Sequence, residues 1–356
     1  MAEKLVNVET IGSYFQSLSD PRHLRNRKHL LVDVIVITIC GMICGSDGPT
    51  AIHRWAKHRH DWLKQFLDLP EGIPSRDCIR RLLLALQPAA FQECFQHWLA
   101  DAVGTSSQGQ LIRIDGKTCR GSHDAGKGLG ALHIVSAWAS EEGLALGQVA
   151  AADKSNEITA IPELLSRLNL EGSVVTIDAM GTQKEIAKQI VEHGGDYVLV
   201  VKDNHRKLLS AIKDYFAEHI NRNMEDLQYR YHETTESSHG RIDERSYYLT
   251  KIPPDFPLKQ EWPTIKAIGY SLRITRTPDG REVDEVRFYI LSRYLSGKRF
   301  SEAVRGHWSI ESLHWVLDVT FREDDSRSRE RTLANNLSWL RRFAVSLLKC
   351  NRQELI

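Results

Sequence analysis

The sequence predicts an α/β protein in which a mixed sheet carries helices on its faces, with an all-helical stretch ahead of it and a β-rich insertion before the closing helices. Three observations carry this. Up to about residue 103, apolar stretches of helical length are separated by turn signals at DPRH, SDGP and LPEGIPS. From 110 to 218, extended apolar runs alternate with helical ones, the pattern of a mixed sheet with helices packed on it. From about 220 to 293 the alternation stops and strand-like runs follow one another. The expected segments are a helical domain at 1–103, the first part of a catalytic core at 104–219, an insertion at 220–297, and core-completing helices at 298–356.

Within the first segment a short helix is expected at 11–18, an apolar helix after Leu30, a helix at 50–69 and two more, one capped by Ser75. QLIRIDGKT, ALHIVSAWAS and GLALGQVAA then read as three strands of an antiparallel meander. Helix 159–168, strand SVVTIDA, helix 184–193, strand YVLVVK and helix 205–218 continue the core. The insertion holds QYRYHETTES, ERSYYLT, IKAIGYSLRITRT and EVRFYILSR as strands. Ser301 reads as the N-cap of a helix over 301–321, and a last helix spans 333–350. On the first of these, Val304, Trp308 and Trp315 form one apolar strip and Ala303, Ile310, Leu317 and Phe321 another, so both tryptophans read as core anchors. His307, Glu311, His314 and Asp318 fall between the strips, where packing removes water from them.

A chain of 356 residues can bury two or three cores. Its formal net charge of +1 offers no global attraction for nucleic acid, so any such argument rests on local clusters. Six cysteines without a CxxC pair exclude zinc and disulfide frameworks and point to reduced, buried thiols, Cys40 and Cys44 among them. The apolar run at 30–44 is too short to cross a bilayer, and MAEKLVNVET lacks the layout of a signal peptide, so a cytoplasmic protein is expected.

The local clusters are basic. PRHLRNRKH carries Arg22, Arg25, Arg27 and Lys28 without an acid, and the helix after Ser75 carries Arg76, Arg80 and Arg81. Arginines near the start of one of several short helices suit DNA binding in a helix-turn-helix manner, and suit equally a solvated face of a helical bundle. GSHDAGKG misses the phosphate-binding loop pattern at Gly128, where Ser or Thr is required.

The acids are more specific. Asp115 ends an apolar strand and is followed by Gly116, Lys117 and Arg120, which suits a metal beside a phosphate, although an aspartate there is also a common turn former. Asp178 repeats the arrangement in SVVTIDAMGTQ, where Thr182 and Glu185 form a capping box that leaves Asp178 free for other work. If the first and fourth strands are neighbours, both aspartates reach one edge of the sheet and Glu311 can close the site. Three carboxylates favour two Mg2+ or Mn2+ ions over zinc, and such a pair suits phosphoryl transfer.

Taken together, IRIDGKT, KSNEITAIPELL, IDAMGTQ, HGRIDER and HWSIESLHWVLDVTFREDDSR resemble the DDE transposases of bacterial insertion sequences, the H-repeat-associated branch in particular, over nearly the whole chain. The resemblance implies a ribonuclease H-like core interrupted before its last acidic helix. It implies Asp115, Asp178 and Glu311 as the catalytic, metal-holding triad, double-stranded DNA as partner (element inverted repeats and target), and a homodimer on that DNA. The residues expected to face DNA are Arg25, Arg27, Lys28, Arg76, Arg80, Arg81, Lys117, Arg120, Arg241 and His307, with His314 and Asp318 behind the site. Many relatives place tyrosine, arginine, glutamate and lysine where this chain has Val304, His307, Glu311 and Asp318, so the grip on the terminal phosphate differs here. Arg305, Arg322 or Arg241 are the candidate substitutes. A nuclease without strand joining and a non-catalytic DNA-binding remnant are the rival readings.

Overall fold

The computed structural model describes residues 11–103, 109–139, 141–151, 157–238 and 240–351. The chain forms two compact units that cut across the chain-order segments. One gathers 1–106, 116–156 and 311–356; the other gathers 107–115 and 157–310.

The first unit starts from an apolar helix, α1 (Leu31–Ile43), with eleven buried residues. A helix apolar on all sides can be stable only when surrounded by protein. Pro49 opens α2 (Pro49–His58), where its missing N–H costs nothing. The helix expected over 50–69 breaks at Arg59, and α3 (His60–Leu63) is a single turn. The Ser75 hydroxyl accepts from the Cys78 amide at 3.2 Å and so starts α4 (Arg76–Ala85), ahead of α5 (Pro88–Val103). Strands in this unit lie in the order β3-β2-β1, from β1 (Leu111–Cys119), β2 (Leu132–Ala139) and β3 (Leu144–Ala151). Every residue of β2 is buried.

The final helix, α10 (Arg331–Cys350), is the centre of this unit and packs on α1, α4, α5, β2 and β3. Several of its buried polar residues serve neighbouring elements: the Asn336 amide donates to the Leu83 and Leu86 carbonyls at 2.8 and 3.0 Å, satisfying the end of α4. Arg341 donates to the carbonyls of Phe321 and Asp47 at 3.1 and 3.0 Å.

In the second unit seven strands lie in the order β1-β4-β5-β9-β8-β7-β6. β4 (Val174–Ile177) and β5 (Asp196–Val201) run parallel to β1, joined through α7 (Lys184–Glu192), while α6 (Glu157–Ser166) precedes β4 and α8 (Arg206–Ile220) follows β5. The β-rich stretch supplies β6 (Tyr229–Ser238), β7 (Arg241–Lys251), β8 (Ala267–Arg276) and β9 (Glu282–Leu291). It continues the sheet rather than standing apart as a subdomain, because β9 pairs antiparallel with β5 through Val198↔Leu291 to Val201↔Phe288. The first part of α9 (Gly297–Trp315) covers this sheet, its Phe300 and Ala303 packed with Leu111, Val174, Val198 and Leu291.

Three local expectations are corrected. α9 begins four residues before Ser301: Ser296 accepts from the Arg299 amide at 3.1 Å, whereas the Ser301 hydroxyl is inside the helix and donates to the Lys298 carbonyl. Thr182 caps nothing, because its hydroxyl donates to the Val200 carbonyl at 2.7 Å and α7 starts after Gln183. Cys40 is buried but Cys44 is exposed. Among the described residues no helix is long and apolar enough to cross a membrane.

Candidate functional site

The parallel register of β1 with β4 runs from Leu111↔Val174 to Ile114↔Ile177. One residue further along stand Asp115 and Asp178, on backbones about 4.8 Å apart, Asp178 just past the end of β4 and Asp115 within β1, where its pairing with β4 stops. Both are half-buried. Alternation puts Asp115 on the same face as Leu111 and Arg113. That is the face α9 covers: Leu111 packs in the cluster with Phe300 and Ala303, and Arg113 reaches Gly306, where any Cβ would collide with its guanidinium. Gly306 thus leaves room on the helix for the Arg113 guanidinium, which would have to shift to admit a Cβ there. Glu311 lies five residues further along the same helix and is exposed.

Asp178 does its own turn work. Its Oδ1 accepts from the Gly181 amide at 3.1 Å, the contact a capping box at Thr182 was expected to make unnecessary. Burial pushes the Asp178 carboxyl up from the usual carboxylate range, the Gly181 amide pulls it down, and the Glu157 carboxylate pushes it up again. Glu157 is 5 % exposed. Sequence reasoning passed over it, since a glutamate in the first turn of a helix reads as a partner for the helix dipole.

Among the described residues no group of three or more His, Cys, Asp or Glu side chains is arranged to ligate a metal. The donors Asp115 and Asp178, where the β1–β4 pairing stops, nevertheless suit a hard cation. They are oxygen ligands, one of them desolvated with a second carboxylate nearby, and a bound cation relieves the burial cost of both.

Beyond Asp115, the strand turns into a buried ion network of the first unit. Lys117, 7 % exposed, has its ammonium 2.6 Å from Asp318, 3.2 Å from Asp324 and 3.3 Å from Glu323. Burial works against the lysine charge, but Glu323, Asp318 and Asp324 outweigh it and raise its pKa. Its expected role in gripping DNA is therefore set aside, because its charge is already matched within the protein. The same contact pairs Asp318, which stands where many relatives have lysine, with a cation of the chain itself. Glu323 is fully enclosed, accepting from Arg342 at 2.8 Å and from the Ser338 hydroxyl at 2.7 Å. Burial opposes its ionisation, yet Arg342, Lys117 and Arg341 hold its pKa at about 2. Beside them, burial first and then Arg342 and Lys117 bring His314 down to about 4, so it is neutral at pH 7.

The remaining basic candidates lie on the surface. Arg25, Arg27 and Lys28 are exposed, with Arg27 donating to the Arg22 and Asp20 carbonyls. Arg76, Arg80 and Arg81 are exposed on α4. Arg120 has a side chain 83 % exposed, 3.4 Å from Asp324, and Arg241 stands 3.2 Å from Asp243. The side chains of His307 and Trp308 lie outside the described residues. Trp315 is 61 % exposed, so it is no core anchor. It occupies the helix position four after Glu311, where α9 gives way to a π-helical turn at Val316–Thr320.

Comparison with known proteins adds to this geometry. Residues 106–348 match a family model described as "Transposase DDE domain", and residues 13–99 match one described as "DDE_Tnp_1-associated". The chain is 38 % identical to "Putative transposase YncI" of Escherichia coli O157:H7, over 97 % of this chain and 88 % of that protein. It is 36 % identical to "H repeat-associated putative transposase YhhI" of Escherichia coli strain K12, over 96 % of this chain and 91 % of that one. It is also 36 % identical to "Uncharacterized protein in dhlA 3'region" of Xanthobacter autotrophicus, over 78 % and 93 % of the two chains.

Proposed function

The chain belongs to the DDE transposase family, and from that premise we propose that it cuts the ends of an insertion sequence by phosphodiester hydrolysis and joins the 3′ ends to target DNA. The substrate is double-stranded DNA, bound by a homodimer at paired inverted repeats. The parallel β1-β4-β5 layer is read as the heart of a ribonuclease H-like core. One observation carries the reading. Asp115 and Asp178 follow the last paired residues of adjacent parallel strands, on a sheet whose face is covered by the helix that continues into Glu311.

In this reading Asp115, Asp178 and Glu311 hold Mg2+ or Mn2+, two ions in all. When bound, such ions stabilise charge on the transferring phosphoryl group. The chain's own contribution is placement. Two aspartates on a paired, buried strand layer keep their separation through the reaction, and Gly306 against Arg113 fixes the helix over the strand before Glu311. Burial of Asp178 excludes water from one side of the site and strengthens its interaction with any cation it meets. Water attacks the phosphorus in line and the 3′-hydroxyl leaves; the same hydroxyl then attacks a target phosphodiester, with no covalent intermediate on the protein.

The test supplies element-end DNA, target plasmid and Mg2+ to the wild type and to Asp115→Ala, Asp178→Ala and Glu311→Ala. Each variant is expected to lose cleavage by about a thousandfold or more while still binding DNA. Full activity in any one removes that residue from the triad. Nicking without joining of precleaved ends replaces the transposase reading by that of a nuclease.

A further inference from the structure

The first unit carries a groove of about 650 Å3 that the strand-end acids do not line. Three separate stretches of chain build it. Arg76 and Arg80 come from α4, Lys127 from the loop after β1, and Arg327 and Arg329 from the segment ahead of α10. All five cations are exposed. The acids on its walls are Asp77, Asp124 and Glu330. Asp77 is taken by Arg76 at 3.5 Å, and the Glu330 carboxylate accepts from the Leu333 amide at 2.9 Å as the cap of α10. Among the described residues no carboxylate stands within ion-pair distance of Arg80, Lys127, Arg327 or Arg329.

Four unmatched cations gathered in one concavity, on a chain whose formal net charge is only +1, mark a place built for an anion. Residues at the starts of three helices also line the groove: Pro49 and Thr50 of α2, Arg76 of α4 and Glu330 before α10. A small anion would meet one or two of the cations. Matching cations from three segments at once takes a polyanion with regularly spaced charges.

We propose that this groove is a track for the phosphate backbone of duplex DNA, with Lys127, Arg327 and Arg329 contacting phosphates alongside Arg76 and Arg80. The proposal rests on the reading that the chain acts on DNA, and it deepens that reading by naming where the backbone lies. It also gives the charged run REDDSRSRER a divided task. Glu323 and Asp324 turn inward against Lys117, while Arg327 and Arg329 line the groove.

The experiment measures the affinity of a fluorescein-labelled random-sequence duplex between about 50 and 200 mM KCl, because log affinity falls with log salt by about 0.9 for each phosphate contact. The Lys127→Ala/Arg327→Ala/Arg329→Ala variant is expected to bind more weakly at every salt concentration, with a slope shallower by about 2.7. The charge-conserving Lys127→Arg/Arg327→Lys/Arg329→Lys variant is expected to recover the wild-type slope. All three positions are exposed, and a far-UV spectrum matching that of the wild type shows that the variants fold. Wild-type affinity and slope in the alanine variant would overturn the groove assignment and leave the DNA reading standing. A wild type that binds no duplex at low salt would sink the DNA reading and the groove with it.

Discussion

Replacing Glu323 by glutamine removes one charge and almost no volume, which makes it a clean probe of the network that closes the end of β1. The glutamate is 1 % exposed and serves Arg342, Ser338 and Lys117 at once. Its folded-state pKa of about 2 lies below the ordinary 4.5, so the charged form stabilises the fold. That difference is worth about 3 kcal/mol at neutral pH. A second route gives a similar size, since truncating one partner of a buried ion pair costs about 3 to 5 kcal/mol. Glu323→Gln is therefore expected to lower the unfolding free energy by about 3 kcal/mol at pH 7. The pH dependence follows from the sign. A depressed carboxyl contributes fully above 4.5 and loses its contribution as pH falls toward 2, so the gap between wild type and variant narrows to about 2 kcal/mol at pH 3.5. Urea denaturation followed by far-UV circular dichroism reads this directly, as a displaced midpoint at unchanged slope. A gap under about 1 kcal/mol at pH 7, or one as large at pH 3.5 as at pH 7, would refute the account.

Two further perturbations follow from the same region. Gly121→Ala places a Cβ 2.5 and 2.6 Å from the carbonyl oxygens of Ser326 and Asp324, backbone that cannot swing aside, and is expected to destabilise by about 1 to 3 kcal/mol in thermal melts. Gly126→Ala, whose Cβ comes no nearer than 3.5 Å to a side chain, serves as the neutral control. His314, buried neutral with a pKa of about 4 against the ordinary 6.5, holds stability above pH 6.5 that is lost as pH falls toward 4, up to about 3 kcal/mol. His314→Gln should flatten the stability profile across that window. A wild-type profile already flat there would show that the histidine is not enclosed as described.

Hydrophobic period and turn punctuation make most elements legible in the sequence. Ser75, followed by Arg76 and an apolar repeat, caps α4 as expected, and the alternation of strands and helices from Gln110 onward appears in order. What failed were readings that depend on partners far away in sequence. Thr182 and Glu185 have capping-box spacing, but the carbonyl of Val200 on the next strand takes the threonine hydroxyl. Lys117 looked like a phosphate ligand because Asp318, Glu323 and Asp324 lie some two hundred residues away, and nothing local announces them. Trp315 fell on an apolar strip by helical phase, yet the α-helix ends there and a wider π turn follows. The strands of the insertion were legible, but strand pattern is blind to which edge a strand will join, and only the β5–β9 register decides that. Of the candidate site, the two aspartates were visible as strand-end acids. Burial of Glu157 beside one of them was not, since helix-start glutamates are ordinarily solvated.

The position of α10 bears on how such a chain is made. Fourteen of its residues are buried, and they cover α1, α4 and α5, which leave the ribosome first. Those early helices wait, with an apolar helix such as α1 uncovered, until a segment some three hundred residues later has been translated. Folding of the first unit is thus delayed until α10 has been translated. A product released before Arg331 would retain the basic segments but lack the scaffold that sets them in place, and its exposed apolar surface would make it a substrate for chaperones and proteases rather than a working fragment.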